Sequence, residues 1–93
     1  MIKSFKDKET AKVYSREGSN KLPWDIQQAA LRKLRMIHNS TTLNDLKVPP
    51  SNRLENLKGD RQGQMSIRIN ARWRICFKWR HGNAEEVEIT DYH

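Results

Sequence analysis

A single cysteine, Cys76, stands in the chain, so no internal disulfide is possible. It lies in an apolar and aromatic stretch and reads as a packing thiol. The three histidines, His38, His81 and His93, sit far apart with no Cys/His ligand spacing, which argues against a metal centre. No stretch approaches the roughly 20 apolar residues of a membrane-spanning helix. Residues 1–6 lack the apolar core of a signal peptide, so a cytoplasmic location and no membrane partner are expected. Glycine is scarce, with four residues, and residues 58–63 have none of the spacing of a phosphate-binding loop. Gly59 and Gly63 bracket what reads as a hairpin turn. No cofactor is expected. With 93 residues the chain reads as one small domain, 1–93, with one core.

Acidic residues are also short, 11 against 18 lysines and arginines, a formal charge of +7. The placement of that charge matters more than its size. Residues 53–80 hold eight basic residues (Arg53, Lys58, Arg61, Arg68, Arg72, Arg74, Lys78 and Arg80) against Glu55 and Asp60, or +6 of the total. Six of the eight are arginine, whose planar fork suits bidentate phosphate contacts. Such a patch favours a polyanionic partner, above all nucleic acid, over a merely solvated surface or an acidic protein.

The periodicity divides the chain in two. Residues 7–16 read as a short helix with Asp7 near its start, stopped by Gly18-Ser19-Asn20. Pro23 suits the first turn of a second helix running to about Asn39. There Ile26, Ala30, Leu34 and Ile37 recur at spacings of 4, 4 and 3, an amphipathic stripe. Trp24 reads as an anchor at its start. Residues 43–46 can add a turn, and Val48-Pro49-Pro50 breaks the chain. Beyond it the period becomes two: Met65, Ile67 and Ile69 against Ser66, Arg68 and Asn70, then Trp73, Ile75, Phe77 and Trp79 against Arg74, Cys76, Lys78 and Arg80. His81-Gly82-Asn83 is a turn, and residues 85–92 form a last strand. The class is therefore α+β, with two N-terminal helices packed on a twisted, mainly antiparallel sheet of about four strands. The helices would cover Ile67, Ile69, Ile75 and Phe77. Trp73 and Trp79 read as core. The opposite face would expose Arg68, Arg74 and Lys78 as an open, positive surface.

Asp91-Tyr92-His93 supplies an acid, a phenol and an imidazole after a strand, a set suited to moving protons. The plain alternative is that Tyr92 packs the strand and His93 frays. Metal-free RNA cleavage needs few parts: a 2′-hydroxyl attacks the adjacent phosphorus, a base takes its proton, an acid protonates the 5′-oxygen, and cations steady the transition state. Lys58 and Arg74 are the candidate phosphate cations, with Arg53, Arg61, Arg68 and Lys78 as further RNA contacts. Glu55 and Asp91 are candidate bases. His93 is a candidate acid or base, and Tyr92 can stack on a nucleobase or donate its hydroxyl. Equally, Glu55 can pair with Arg53 or Arg74 on the surface.

Several segments together resemble the HigB-type toxins of the RelE/ParE toxin–antitoxin superfamily. They are Met1-Ile2-Lys3-Ser4-Phe5, Asn52-Arg53-Leu54-Glu55-Asn56-Leu57-Lys58-Gly59-Asp60-Arg61, Ser66-Ile67-Arg68-Ile69-Asn70, Trp73-Arg74-Ile75-Cys76-Phe77, and Val87-Glu88-Ile89-Thr90-Asp91-Tyr92-His93. The resemblance implies two helices on a twisted antiparallel sheet. It implies an endoribonuclease that cuts mRNA in the ribosomal decoding site. It also implies a HigA-type helix-turn-helix antitoxin, and a complex that binds operator DNA. It carries over to Lys58 as the phosphate-side lysine, to Arg74 as the transition-state arginine, and to Asp91, Tyr92 and His93 as the terminal triplet; Arg68 is a looser match. One position departs: some members carry a catalytic histidine three residues before the lysine, where this chain has Glu55. A carboxylate accepts a proton but cannot donate one as imidazolium does. The resemblance therefore implies Glu55 or Asp91 as base, His93 as acid, and Lys58 and Arg74 on the phosphate. Two rival readings are a ParE-like gyrase poison without nuclease activity and a non-enzymatic basic nucleic-acid-binding module.

Overall fold

The computed structural model describes residues 1–92, so His93 lies outside the described residues. Helix α1 spans Lys8–Tyr14 and α2 spans Trp24–Asn39. Short 3-10 turns at Leu43–Leu46 and Pro50–Asn52 lead into strands β1 (Glu55–Asn56), β2 (Met65–Arg68), β3 (Trp73–Arg80) and β4 (Asn83–Asp91). The strands form one sheet in the order β1-β2-β3-β4, each pair antiparallel. The α+β class, the two helices and the four strands expected from periodicity are all present.

The helix bounds differ in detail. α1 is shorter than residues 7–16, because Arg16 at φ 67° and Gly18 at φ 81° turn the chain out of the helix. Pro23 precedes the first turn of α2 as its cap residue rather than lying in it. The stripe Ile26, Ala30, Leu34 and Ile37 is buried as the spacing requires. It packs with Ile67, Ile75, Phe77, Val87 and Ile89 from the sheet. Burying a side chain of this size stabilises by about 1.5–3 kcal/mol. α1 is tied to β4 by a direct bond, the Ile89 amide donating to the Thr10 hydroxyl at 3.0 Å.

Residues 1–6 add a feature that periodicity does not show. They run parallel to β4, bridged at Ile2–Ala84 and Phe5–Val87, and exchange backbone hydrogen bonds with it. Ile2 and Phe5 lean on the core three residues apart, so no alternation marks the segment as a strand.

Two expectations are corrected. Trp24 does not anchor its helix: it is 80% exposed, since the helical stripe begins at Ile26. The sheet face away from the helices is not open either, for Ser66, Arg74 and Cys76 on it are all buried. Arg61 reaches back to Glu88 of β4 at 3.0 Å, and the Arg53 carbonyl meets Arg74. Trp73 and Trp79 pack against the core as expected, and Cys76 is a buried packing thiol whose ionisation burial pushes up. The two glycines do bracket the β1–β2 hairpin loop, which carries a 3-10 turn at Gly59–Arg61.

Asn52 ties the connector that leads into β1 back onto the helical half. Fully buried, it donates to the Leu46 carbonyl and the Met36 sulfur, both at 3.1 Å, and accepts from the Lys33 ammonium. Replacing it by alanine strands a buried carbonyl. Asn52→Ala is expected to lower unfolding free energy by about 1–3 kcal/mol, measured by urea denaturation.

Candidate functional site

Cross-strand partners in an antiparallel sheet project from the same face. One row therefore runs Glu55, Ser66, Cys76, Glu88 across β1 to β4, and the next runs Arg68, Arg74, Thr90. Both rows lie on the face away from the helices. The row Ile67, Ile75, Ile89 lies on the core face.

Arg74 sits at the centre of the first face. Its side chain is only 11% exposed, so nearly all its donors must be satisfied within the protein. Nε donates to the Ser66 hydroxyl at 2.7 Å. Nη2 donates to the Arg53 carbonyl at 2.6 Å and reaches the Ser66 carbonyl at 3.4 Å. Arg53 presents that carbonyl because its backbone is left-handed, at φ 45°. These bonds fix two sides of the planar guanidinium. The third, Nη1, faces the Glu55 carboxylate at 3.8 Å, too long for a hydrogen bond. Glu55 itself is 54% exposed, so its carboxylate is open to an incoming hydroxyl. The guanidinium is thus held on two sides, and its third edge carries only a long ion pair to an accessible carboxylate, the surface pairing with Glu55 that the sequence also allowed.

The other residues named from sequence fall around this pair. Lys58 caps the 3-10 turn of the β1–β2 loop, is exposed, and has no ion pair among the described residues. Arg68 stands beside Arg74 in its row and donates Nε to the Asn70 carbonyl at 2.9 Å. Arg53 is exposed and contributes its backbone oxygen. Arg61 and Lys78 are engaged, with Glu88 at 3.0 Å and Glu86 at 2.8 Å. Burial works against the charge of Arg61, but the Glu88 hydrogen bond and the surrounding electrostatics together outweigh it and hold its pKa above the usual value.

Asp91 is placed differently. It pairs across the sheet with Trp73, so alternation puts it on the side away from Arg74. Its carboxylate receives the Arg72 fork, Nε to Oδ1 at 2.9 Å and Nη2 to Oδ2 at 2.6 Å. That bond raises the Arg72 pKa. Alternation returns Tyr92 to the Arg74 side, where it is 41% exposed and near enough to Arg61 to favour its charge. Its amide donates to the Arg72 carbonyl at 2.7 Å. The structure thus joins Glu55, Arg74 and the Lys58 loop at one end of the sheet, and it turns Asp91 away.

Sequence reading missed Ser66 and the Arg53 carbonyl as the holders of Arg74. Ser66 had one signal, a small hydroxyl on the polar side of an otherwise apolar alternation. The Arg53 conformation left none.

Small α+β domains of this shape, with a cationic sheet end, form a class with known members. Residues 3–93 match the family described as RelE-like toxin of type II toxin-antitoxin system HigB. The chain is 38% identical over 85 residues to Toxin HigB-1 of Vibrio cholerae serotype O1, covering 90% of each protein. It is 33% identical to Endoribonuclease HigB of Proteus vulgaris over 93 residues, the full length of both. A YoeB–YefM complex from Staphylococcus aureus contains a chain that superposes with a TM-score of 0.62 at 18% identity, covering 100% of this chain and 98% of that one, a likeness of fold. The chain belongs to the HigB-like toxin family within the RelE-like toxins.

Ser66→Ala removes the hydroxyl from a buried guanidinium Nε. It is expected to destabilise the fold by about 1–3 kcal/mol, read by thermal or urea unfolding.

Proposed function

We propose that this chain is the toxin of a type II toxin–antitoxin module and an endoribonuclease that cuts mRNA in the ribosomal decoding site. The observation that carries this reading is the caged Arg74, whose Nη1 makes no hydrogen bond and only a long ion pair with the exposed Glu55. The family membership and the printed name of the Proteus relative support it.

In the proposed reaction the scissile phosphate takes the Nη1 edge of Arg74, with Lys58 as the second cation. Glu55 accepts the proton of the 2′-hydroxyl. The 2′-oxygen then bonds to phosphorus, and charge building on the phosphoryl oxygens is met by guanidinium donors already in position. The bond from phosphorus to the 5′-oxygen breaks, and His93 protonates that oxygen. The products are a 2′,3′-cyclic phosphate and a free 5′-hydroxyl. The nucleophile comes from the substrate and the cations from the protein, so the scheme needs no bound metal. Tyr92 stacks on a flanking base. Arg53 and Arg68 contact the RNA backbone, while Arg61 and Lys78 act first through their carboxylate partners. The Arg72 fork and the register favour Glu55 over Asp91 as base and give Asp91 the part of fixing the strand end that carries Tyr92.

The toxin works in the cytoplasm. A HigA-type helix-turn-helix antitoxin neutralises it, and the complex binds operator DNA. Among the described residues no helix is long and apolar enough to cross a membrane.

Glu55→Gln removes the base and keeps the size, and Arg74→Ala removes the cation. Each is expected to lower message cleavage by about 10²-fold or more. Primer extension after brief induction, on a translated transcript and on one without a start codon, reads this out. Wild-type cuts confined to the translated message and lost in both variants support the reading. Growth arrest with intact message would move the assignment to a gyrase poison.

A further inference from the structure

Trp24 is the largest apolar side chain left in water, on the helical layer rather than the Arg74 face of the sheet. It separates two hollows. One, of about 410 Å³, is rimmed by Lys8, Lys12 and Lys21. The other, of about 160 Å³, is walled by Val13 and Leu31 with the indole. That is close to the volume of an apolar cavity that takes a benzene ring.

The corner is rigid. The Ser19 hydroxyl donates to Glu9 at 2.6 Å, and the Ser19 amide donates to Gln27 Oε1 at 3.1 Å. Gln27 Nε2 returns bonds to the Ser19 and Leu22 carbonyls at 2.7 and 3.0 Å. Gly18, at φ 81°, takes the left-handed turn that carries the chain past the indole edge. A surface held this way loses little conformational freedom on binding.

The corner is also cationic: Lys8, Lys12, Arg16 and Lys21 line the two hollows against Glu9 and Glu17. Lys8, Arg16 and Lys21 have no ion pair among the described residues, while Lys12 has Glu9 at 3.8 Å.

We propose that this corner docks the antitoxin, taking an acidic protein segment that inserts one apolar side chain beside Trp24 and sets carboxylates against Lys8 and Lys21. The partner's identity rests on the reading of the chain as a neutralised toxin; the surface does not. RNA fits less well. Glu9 and Glu17 interrupt the lysines of the hollow, so a continuous sugar-phosphate backbone meets carboxylates along its length, whereas a protein segment can set single side chains on Lys8 and Lys21. The second hollow, with Val13, Leu31 and the indole beside Arg16, suits an inserted apolar side chain with a carboxylate next to it.

The test uses purified toxin and the purified antitoxin encoded with it. Trp24→Ala, at an exposed position, should weaken the complex by about 30-fold, as a central aromatic anchor does. Lys8→Glu with Lys21→Glu should weaken it further at low salt than at high salt. Message cleavage by Trp24→Ala without antitoxin should equal wild type, and iodide should lose access to Trp24 in the complex. Unchanged antitoxin affinity in both variants overturns the proposal. Unchanged affinity with lost cleavage assigns the corner to RNA and overturns it too. Weakened antitoxin binding alongside a wild type that cuts no message would keep the docking surface and reject the nuclease.

Discussion

A guanidinium taken out of water must find a partner for almost every N–H, and the sheet end is built around that demand. Arg74 obtains a hydroxyl from β2 and a carbonyl from the chain before β1, so one side chain joins three segments. The same bonds deny it rotation. Burying an unpaired charge costs several kcal/mol, so satisfying this cation and aiming its third edge are one structural act. Pre-positioned donors need no rearrangement when charge develops beside them. The left-handed backbone at Arg53, φ 45°, is what turns that carbonyl toward the guanidinium.

Periodicity made the architecture readable. Four apolar residues at helical spacing name α2, and strict alternation through Met65, Ile67, Ile75 and Phe77 names the core face. Length hides other features. The segment at residues 1–6 touches the core through two side chains, too few to set a period. Arg74 stood correctly on the polar side of the alternation, yet its burial depends on a backbone oxygen 21 residues away. Glu55 was legible as a neighbour of Arg74, and its accessibility was not. Asp91 was grouped with Tyr92 by adjacency, but neighbours on a strand point to opposite faces. The alternation that revealed the sheet also separates Asp91 from Tyr92.

Charge counted along the chain misleads for the same reason. Residues 53–80 look strongly cationic until β4 is laid beside β3. Arg61 then meets Glu88, Arg72 meets Asp91, Lys78 meets Glu86, and Arg80 approaches Glu85 at 3.9 Å. Exposed pairs of this kind contribute little stability, but they cancel far field. What remains on that face is local, at Arg53, Lys58 and Arg68 around Arg74. The helical half keeps its surplus.

The parallel lacing of residues 1–6 onto β4 bears on synthesis. Ser4 accepts the Glu86 amide at 2.9 Å across 82 residues of chain. A nascent chain emerges from the ribosome in sequence order, so residues 1–6 wait for their partners until β4 has followed them. β4 also supplies the far side of β3, on which Arg74 rides. A chain made only as far as β3 therefore has neither its border segment in place nor a complete sheet under the arginine.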